Sequence, residues 1–355
     1  MATPPVVGGK PVNVDLTQLS NRENVYYMND DKLKVGKVLS KGTFGTVSWF
    51  EYATKKGRPR VVLKEFKVTN EVAFEIRFAV MSLAAALKEC DFIHFSMFVF
   101  PEDHRIEVAL ERADADVYGR MEADREAMRG LTAEFVAFID GLCTCVENFN
   151  KTAKRKVYVN DLKMENIGVV DMDGGQTAFR LLDLDGINQF PGSYTCLYSL
   201  QEYPKLDAIH DKVFAIDASY AAAATLCEWF ADVKPAYSDF DIDIDILTFT
   251  KLDFSEIVKD WKVIRRGSPE AFTEELKQKY RGIFEARIAV FDTVIAYLNT
   301  QEDGLDLAVR RMEAGKAAIR KAFDYIDLMV EEDFQYDGGE NDSDNDSIID
   351  VIEDM

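Results

Sequence analysis

The chain has only three histidines in 355 residues, and few cysteines or prolines, five and nine. The histidines, His94, His104 and His210, stand apart from one another, and none matches a catalytic partner, so they read as structural or exposed. Cys90, Cys143, Cys145, Cys196 and Cys227 are odd in number and scattered. Cys143 and Cys145 form a lone C-x-C with no second ligand pair, so no zinc site is indicated. The cysteines read as free thiols of a reducing compartment. No run of 18 apolar residues exists, which excludes a transmembrane helix. The opening MATPPVVGGKPVNVD has no apolar segment of the kind a secretory signal needs. Positive charge is in deficit, with 42 Lys+Arg against 63 Asp+Glu and a net charge of −21. That balance argues against wrapping nucleic acid through bulk charge.

Core material is plentiful, at 47% hydrophobic and 12% aromatic residues, so the chain as a whole is not disordered. The negative charge is concentrated. Eleven acids and no Lys or Arg lie between Glu331 and Met355, leaving −10 on the first 330 residues. Residues 1–25, rich in Pro, Gly, Asn and Thr, read as a loose arm. From Lys32 to about Val117, short runs of β-branched and aromatic residues predict strands: KVGKVLS, TVSWFEYA, RVVLKEF, FIHFSMFVF and RIEVALE. One helix interrupts them over 70–87, with Asn70 as N-cap. Residues 118–150 read as one long amphipathic helix. VYV, NIGVV and FRLLDL then predict short strands around the MDGGQ turn. Helices dominate from about Val213, one starting at Ser268-Pro269-Glu270 and another spanning about Asp306 to Val330. The order of strands and then helices predicts an α+β chain with its site between two lobes.

Four segments carry chemistry. Ser40-Lys41-Gly42-Thr43-Phe44-Gly45-Thr46-Val47 lies between two strands, where glycines let backbone N–H groups approach phosphates. An ordinary β-hairpin is the plainer alternative. Lys64 follows Val61-Val62-Leu63, and a lysine at the end of an apolar strand is costly to bury unless an anion meets it. Asp161-Leu162-Lys163-Met164-Glu165-Asn166 precedes the apolar Ile167-Gly168-Val169-Val170. A carboxylate there can deprotonate a hydroxyl, a lysine two residues on can neutralise a migrating phosphoryl group, and the Asn carbonyl can hold a divalent cation. Leu181-Leu182-Asp183-Leu184-Asp185-Gly186 ends a strand on a hard oxygen ligand suited to Mg²⁺. Asp239, Asp241, Asp243 and Asp245 alternate with apolar residues and read as the solvated face of an edge strand.

Taken in order, the four segments resemble the eukaryotic-type protein kinases, over roughly Val35 to Trp229. The resemblance implies a bilobal fold: an arm over 1–25, a β-rich N-lobe over 26–113, a helical C-lobe over 114–330 and an acidic tail over 331–355. It implies ATP and Mg²⁺ as cofactors. Gly42 and Gly45, with Val47 closing the motif, match the phosphate-covering loop, and Lys64 the lysine that holds the ATP α- and β-phosphates. Glu75, or Glu71, would pair with Lys64. Leu110 resembles the gatekeeper, and Glu111-Arg112-Ala113 the hinge whose backbone receives adenine. Asp116, or Asp114, would bond the ribose. Asp161 matches the catalytic base, Lys163 the phosphoryl-stabilising lysine, and Asn166 and Asp183 the Mg²⁺ ligands. Asp217 resembles a buried aspartate that braces the catalytic loop.

The sequence departs from the family in three places. Ser40 stands for the first loop glycine, Val159-Asn160 for His-Arg, and Asp183-Leu184-Asp185 for D-F-G. The missing Arg predicts activity without phosphorylation of the activation loop. No A-P-E is clear; Glu202 is the nearest candidate. The lysine two after Asp161 implies Ser/Thr hydroxyls of protein substrates. A pseudokinase scaffold and a small-molecule phosphotransferase are the other readings. The irregular motifs resemble those of divergent kinases of large DNA viruses, which implies the cytoplasm or nucleus of a host cell rather than secretion. No membrane or direct nucleic-acid partner is expected. In the tail, Ile348, Ile349 and Val351 lie in a β-branched run flanked by acids, similar to a SUMO-interacting segment, which binds by adding a strand to a sheet edge.

Overall fold

Alternation along one strand shows how the sheet is built. In Val61–Phe66, Val61 and Leu63 point to one face and Val62 and Phe66 to the other. By the same period of two, Lys64 shares the face of Val62 and Phe66. The computed structural model describes residues 6–8, 15–41, 45–66, 68, 70–87, 90–154, 156–172, 175–184, 187–188, 210–232, 274–301 and 305–328. The alternating Asp239–Asp245 run, the Ser268-Pro269-Glu270 helix start, Glu202 and the acidic tail lie outside the described residues.

The first part of the chain forms an eight-stranded antiparallel sheet. Its strands are β1 (Val6–Gly8), β2 (Leu19–Arg22), β3 (Val25–Met28), β4 (Asp31–Lys41), β5 (Gly45–Tyr52), β6 (Val61–Phe66), β7 (Phe95–Phe100) and β8 (Arg105–Glu111). Their spatial order is β1-β7-β8-β6-β5-β4-β3-β2. Helix α1 (Glu71–Ala86) crosses between β6 and β7 in sequence, and the Asn70 side chain caps it by accepting from the Ala73 N–H at 2.9 Å. Strands are thus concentrated early and helices later.

The sheet is buried on both faces, and here the structure differs from the expectation of a loose arm over 1–25. A 3-10 turn at Leu16–Gln18 and the β2–β3 hairpin place Leu16, Leu19, Tyr26 and Met28 against Leu33, Phe50, Val61, Leu63, Phe98 and Ala109. Leu16 is 0% and Leu19 1% exposed. The polar composition around them hides four well-spaced apolar residues, which fill a face of the sheet that would otherwise meet water.

Residues 118–150 also differ from the expected single helix. They form α2 (Val117–Ala123), α3 (Arg125–Arg129) and the larger part of α4 (Thr132–Thr152). Asp116 caps α2 and Asp124 caps α3, each carboxylate accepting from a backbone N–H three residues on. Gly130 closes α3. Short acidic side chains bond the backbone in place of the helical ladder, so they break a periodic pattern that apolar spacing alone extends.

Between the sheet and the later helices lie β9 (Ala115–Asp116), β10 (Tyr158–Val159), β11 (Ile167–Asp171), β12 (Thr177–Leu181) and β13 (Ile187–Asn188). They form a β12-β11-β9 sheet and a β10-β13 ladder. The chain then forms α5 (His210–Asp232), α6 (Glu274–Leu298) and α7 (Asp306–Leu328). The Ala221–Ala224 run is buried in α5, as helix packing requires. A Cβ added at Gly315 on α7 would meet the Ala223 Cβ, so these helices touch through small residues. Trp229 stacks on Phe135 of α4 at 3.9 Å and ties the helices to the same core. Among the described residues, no helix is long and apolar enough to cross a membrane.

Glu107 on β8 is 2% exposed, and its Oε1 accepts from Arg105 at 2.8 Å. Burial pushes its carboxyl up to about 7 despite that arginine. The folded state therefore holds its proton after the unfolded chain has released it, and stability falls as pH rises from the ordinary carboxyl range through 7. Glu107→Gln removes this dependence. Urea midpoints at pH 5 and pH 8 will show wild type losing stability relative to the variant at the higher pH.

Candidate active site

The segment after β10 is held by its apolar residues. Leu162 is 1% and Met164 0% exposed, and they anchor the loop in the core. The intervening Asp161 and Lys163 stay half-buried, at 16% and 19% side-chain exposure. A 3-10 turn over Met164–Asn166 brings Asn166 back toward Asp161. The Asn166 Nδ2 donates to the Asp161 backbone carbonyl at 2.9 Å and to its carboxylate at 2.8 Å. The Lys163 Nζ lies 3.4 Å from the same carboxylate. One carboxylate is thus oriented by an amide and a cation, both from its own loop.

A residue that motif spacing did not single out supports this loop from below. Thr225 on α5 is fully buried, and its single hydroxyl proton is shared between the Leu162 carbonyl at 2.7 Å and the Ala221 carbonyl of its own helix at 2.8 Å. The sequence signal was a lone hydroxyl in the apolar run AAAATLCEWF, since a buried hydroxyl must find a partner. Asp217, the expected brace, lies on the same helix, but its side chain is outside the described residues.

Asp183 reaches the site from another direction. The Leu182 N–H donates to the Asn166 carbonyl at 2.8 Å, and the Leu181 N–H to the Phe92 carbonyl at 2.9 Å, so the chain arrives at Asp183 already fixed. The β10–β13 ladder, with Val159 opposite Ile187, closes the loop behind it. From the sheet, Lys64 extends its Nζ to 3.0 Å from Asp183 Oδ1. The two are 119 residues apart in sequence, and their side chains are 13% and 25% exposed.

Glu71 and Glu75 on α1 are exposed, and among the described residues no ion pair joins either to Lys64. The buried charge of α1 is Arg77, 5% exposed and 4.7 Å from the centre of the Phe66 ring. Lys64 Nζ lies 4.9 Å from the same ring.

The connection from β8 to α2 is pinned by side chains. Glu111 is buried, its carboxylate 3.3 Å from Arg180 Nε and 3.6 Å from His94 Nδ1. The Asp114 carboxylate meets Arg60 at 2.5 Å, Arg112 at 3.0 Å and the Asp171 N–H at 2.9 Å. Burial raises its proton affinity, but the Asp171 N–H and the two guanidiniums outweigh that and hold the carboxyl below its usual range. Leu110 is buried behind this segment, and Ala113 sits over Gly168, where an added Cβ would come within 2.7 Å of the Ala113 methyl. Asp116 is occupied as the α2 cap.

Val47 pairs with Lys64 across β5 and β6 and packs against the core. A Cβ added at Gly45 would lie 2.3 Å from the Glu65 carbonyl oxygen, so that position admits only glycine. Gly42 and Asp185 lie outside the described residues.

No group of three or more His, Cys, Asp or Glu with metal-binding geometry occurs among the described residues. Asn166 ends the turn before β11, and Asp183 stands two residues after β12, the strand paired with β11. Asn166 directs its Nδ2 to Asp161, and Asp183 is a carboxylate with one oxygen 3.0 Å from Lys64, so the two residues are of the type that would hold Mg²⁺. Hard oxygens in that number suit Mg²⁺, which keeps waters and phosphates as its other ligands.

No protein-family model matches this sequence, and no curated protein matches it. Among solved structures, the kinase domain of PknI from Mycobacterium tuberculosis, a double mutant, is similar at 21% identity with a TM-score of 0.38. The match covers 56% of this chain and 74% of that one. A likeness at that level carries no argument about the site.

Thr225→Val removes the hydroxyl beneath Leu162 and leaves a buried carbonyl short of a donor. The expected loss is about 1–2 kcal/mol of unfolding free energy, read from urea denaturation.

Proposed function

We propose that this chain is an ATP-dependent protein kinase that transfers the γ-phosphoryl group to Ser/Thr hydroxyls of protein substrates. The observation that carries this reading is the 3.0 Å approach of Lys64 to Asp183, which sets a strand lysine beside the loop that holds Asp161, Lys163 and Asn166. Sequence resemblance assigns these residues to one reaction, and the Leu182 N–H to Asn166 carbonyl bond supports the reading by tying the approach to Asp183 to the Asp161–Asn166 loop.

The roles follow the resemblance of the motifs. Lys64 holds the α- and β-phosphates of ATP, which compete with Asp183 for its ammonium. The backbone of Glu111 and Ala113 receives adenine, Gly42 and Gly45 cover the phosphates, and Asp116 or Asp114 faces the ribose. Mg²⁺ on Asn166 and Asp183 would neutralise charge on the β- and γ-phosphates. Asp161 orients the substrate hydroxyl and takes its proton as the oxygen forms its bond to the γ-phosphorus. The bond from that phosphorus to the β,γ-bridging oxygen breaks, and ADP leaves. Lys163, 3.4 Å from Asp161, offsets the charge on the group in transit. Asn160, at 1% exposure, takes the place of an arginine that would read a phosphorylated loop, so activity is independent of such phosphorylation.

A second reading, a nucleotide-binding scaffold, is favoured by one observation: the exposed Glu71 and Glu75 do not hold Lys64. Transfer of labelled phosphate from Mg·ATP to a generic protein substrate, or to the chain itself, separates the two. Asp161→Asn is expected to lower transfer by about 10²–10⁴-fold. A wild type no more active than this variant favours the scaffold.

Exposure of Glu75 gives a second test. Lys64→Met is expected to weaken ATP binding and transfer by more than about tenfold, because it removes the charge that meets the phosphates. Glu75→Gln is expected to change either by less than about twofold, as for an exposed residue without a described partner. Equal losses in both variants would mean that α1 moves to pair Glu75 with Lys64.

A further inference from the structure

The chain carries −21, yet residues 31–60 hold eight Lys or Arg against two acids. Much of this charge lies on β4, D-K-L-K-V-G-K-V-L-S-K, where Lys32, Lys34, Lys37 and Lys41 are exposed. Lys34 faces Glu51 at 3.3 Å. Exposed apolar side chains stand between the lysines: Val35 at 50%, Val38 at 39% and Leu39 at 45%. Only Asp31 and Lys32 of β4 pair with β3. Along Leu33–Lys41 the other edge belongs to β5, and among the described residues no strand covers the remaining edge.

An open edge leaves backbone donors and acceptors free to pair with another extended segment. Lysines on such an edge commonly discourage pairing, but exposed valines between them favour it, since a β-branched partner would bury them. The complementary pattern exists in this same chain. Ser347-Ile348-Ile349-Asp350-Val351-Ile352-Glu353-Asp354 joins β-branched residues to acids, in a stretch with no Lys or Arg. The 18 residues between Leu328 and Ser347 span at most about 60 Å, against a radius of gyration of about 20 Å for a folded body of this length. The segment can reach β4 without leaving its own molecule.

We propose that Ser347–Asp354 docks as an added strand on the Leu33–Lys41 edge of β4 in the same molecule. Backbone pairing supplies the register, the β-branched side chains cover Val35 and Val38, and Asp350, Glu353 and Asp354 meet the lysines. Because β4 leads into the loop at Gly42–Gly45, docking stiffens the cover of the nucleotide. That consequence rests on the kinase reading; the docking does not.

Hydrogen exchange read by mass spectrometry on the full chain tests it without any assay of activity. Amides of 33–41 are expected to exchange about tenfold faster in Ile348→Asp/Ile349→Asp than in wild type, and amides of 347–354 faster in Lys34→Glu/Lys37→Glu. High salt is expected to shift wild type toward the variants, and the protection is expected not to change with protein concentration. Identical exchange in wild type and both variants overturns the proposal. Protection that grows with concentration overturns its intramolecular form. Protection of 347–354 that appears only when SUMO is added assigns the segment to that partner instead.

Discussion

The contact between Lys64 and Asp183 is the constraint on which the rest of the site depends. At 3.0 Å, with an effective dielectric of about 20, the gross attraction is about 5.5 kcal/mol, and removal of both groups from water offsets much of it. The pair therefore adds little net stability, but it fixes geometry. It requires that Lys64 share the face of Val62 and Phe66, so a one-residue slip of β6 would send the ammonium to the opposite face of the sheet, among Leu16 and Leu19. It also requires that Asp183 be delivered at one height, which the Leu182 N–H does by bonding the Asn166 carbonyl. The same asparagine holds Asp161. A single chain of short contacts thus runs from the sheet lysine through Asp183 and Asn166 to the candidate base.

A second set of ties holds the covalent link between sheet and helices. Glu111 is buried against Arg180, which stands three residues before Asp183, so the connection after β8 and the approach to Asp183 share one ion pair. Asp114 gathers Arg60 from the start of β6, Arg112 from the connection itself and the Asp171 N–H from the end of β11. Exposed ion pairs seldom contribute much, but a carboxylate with three donors from three segments restricts their relative movement. The backbone proposed to receive adenine is therefore braced on both sides by side chains that have other partners.

The sequence disclosed what depends on local pattern. Asn70 as a helix cap and the strand-length runs are local, and they lie where pattern placed them. The unread features depend on what a residue meets far along the chain. Leu16 and Leu19 lie in a polar segment and are buried because the sheet has a second apolar face. Asp124 breaks a periodic helix because its carboxylate bonds the backbone, which apolar spacing does not register. Thr225 has no motif; its importance comes from the Leu162 carbonyl 63 residues earlier. Glu75 was expected to pair with Lys64, yet the turn of α1 leaves it in water and buries Arg77.

The buried Arg77 of α1 adds positive charge beside Lys64. Lys64 and Arg77 both lie within 5 Å of the Phe66 ring, at 4.9 and 4.7 Å, and its π-face offsets part of their positive charge. Lys163 adds a third cation near Asp161. A helix glutamate would hold Lys64 by neutralising it. Here Asp183 faces Lys64 instead, and under the kinase reading Asp183 is also a metal ligand. Lys64 would then hold the phosphates of a bound nucleotide and Asp183 would supply a hard oxygen to Mg²⁺. Under that reading, the order of this site would depend on the nucleotide through the Lys64–Asp183 contact.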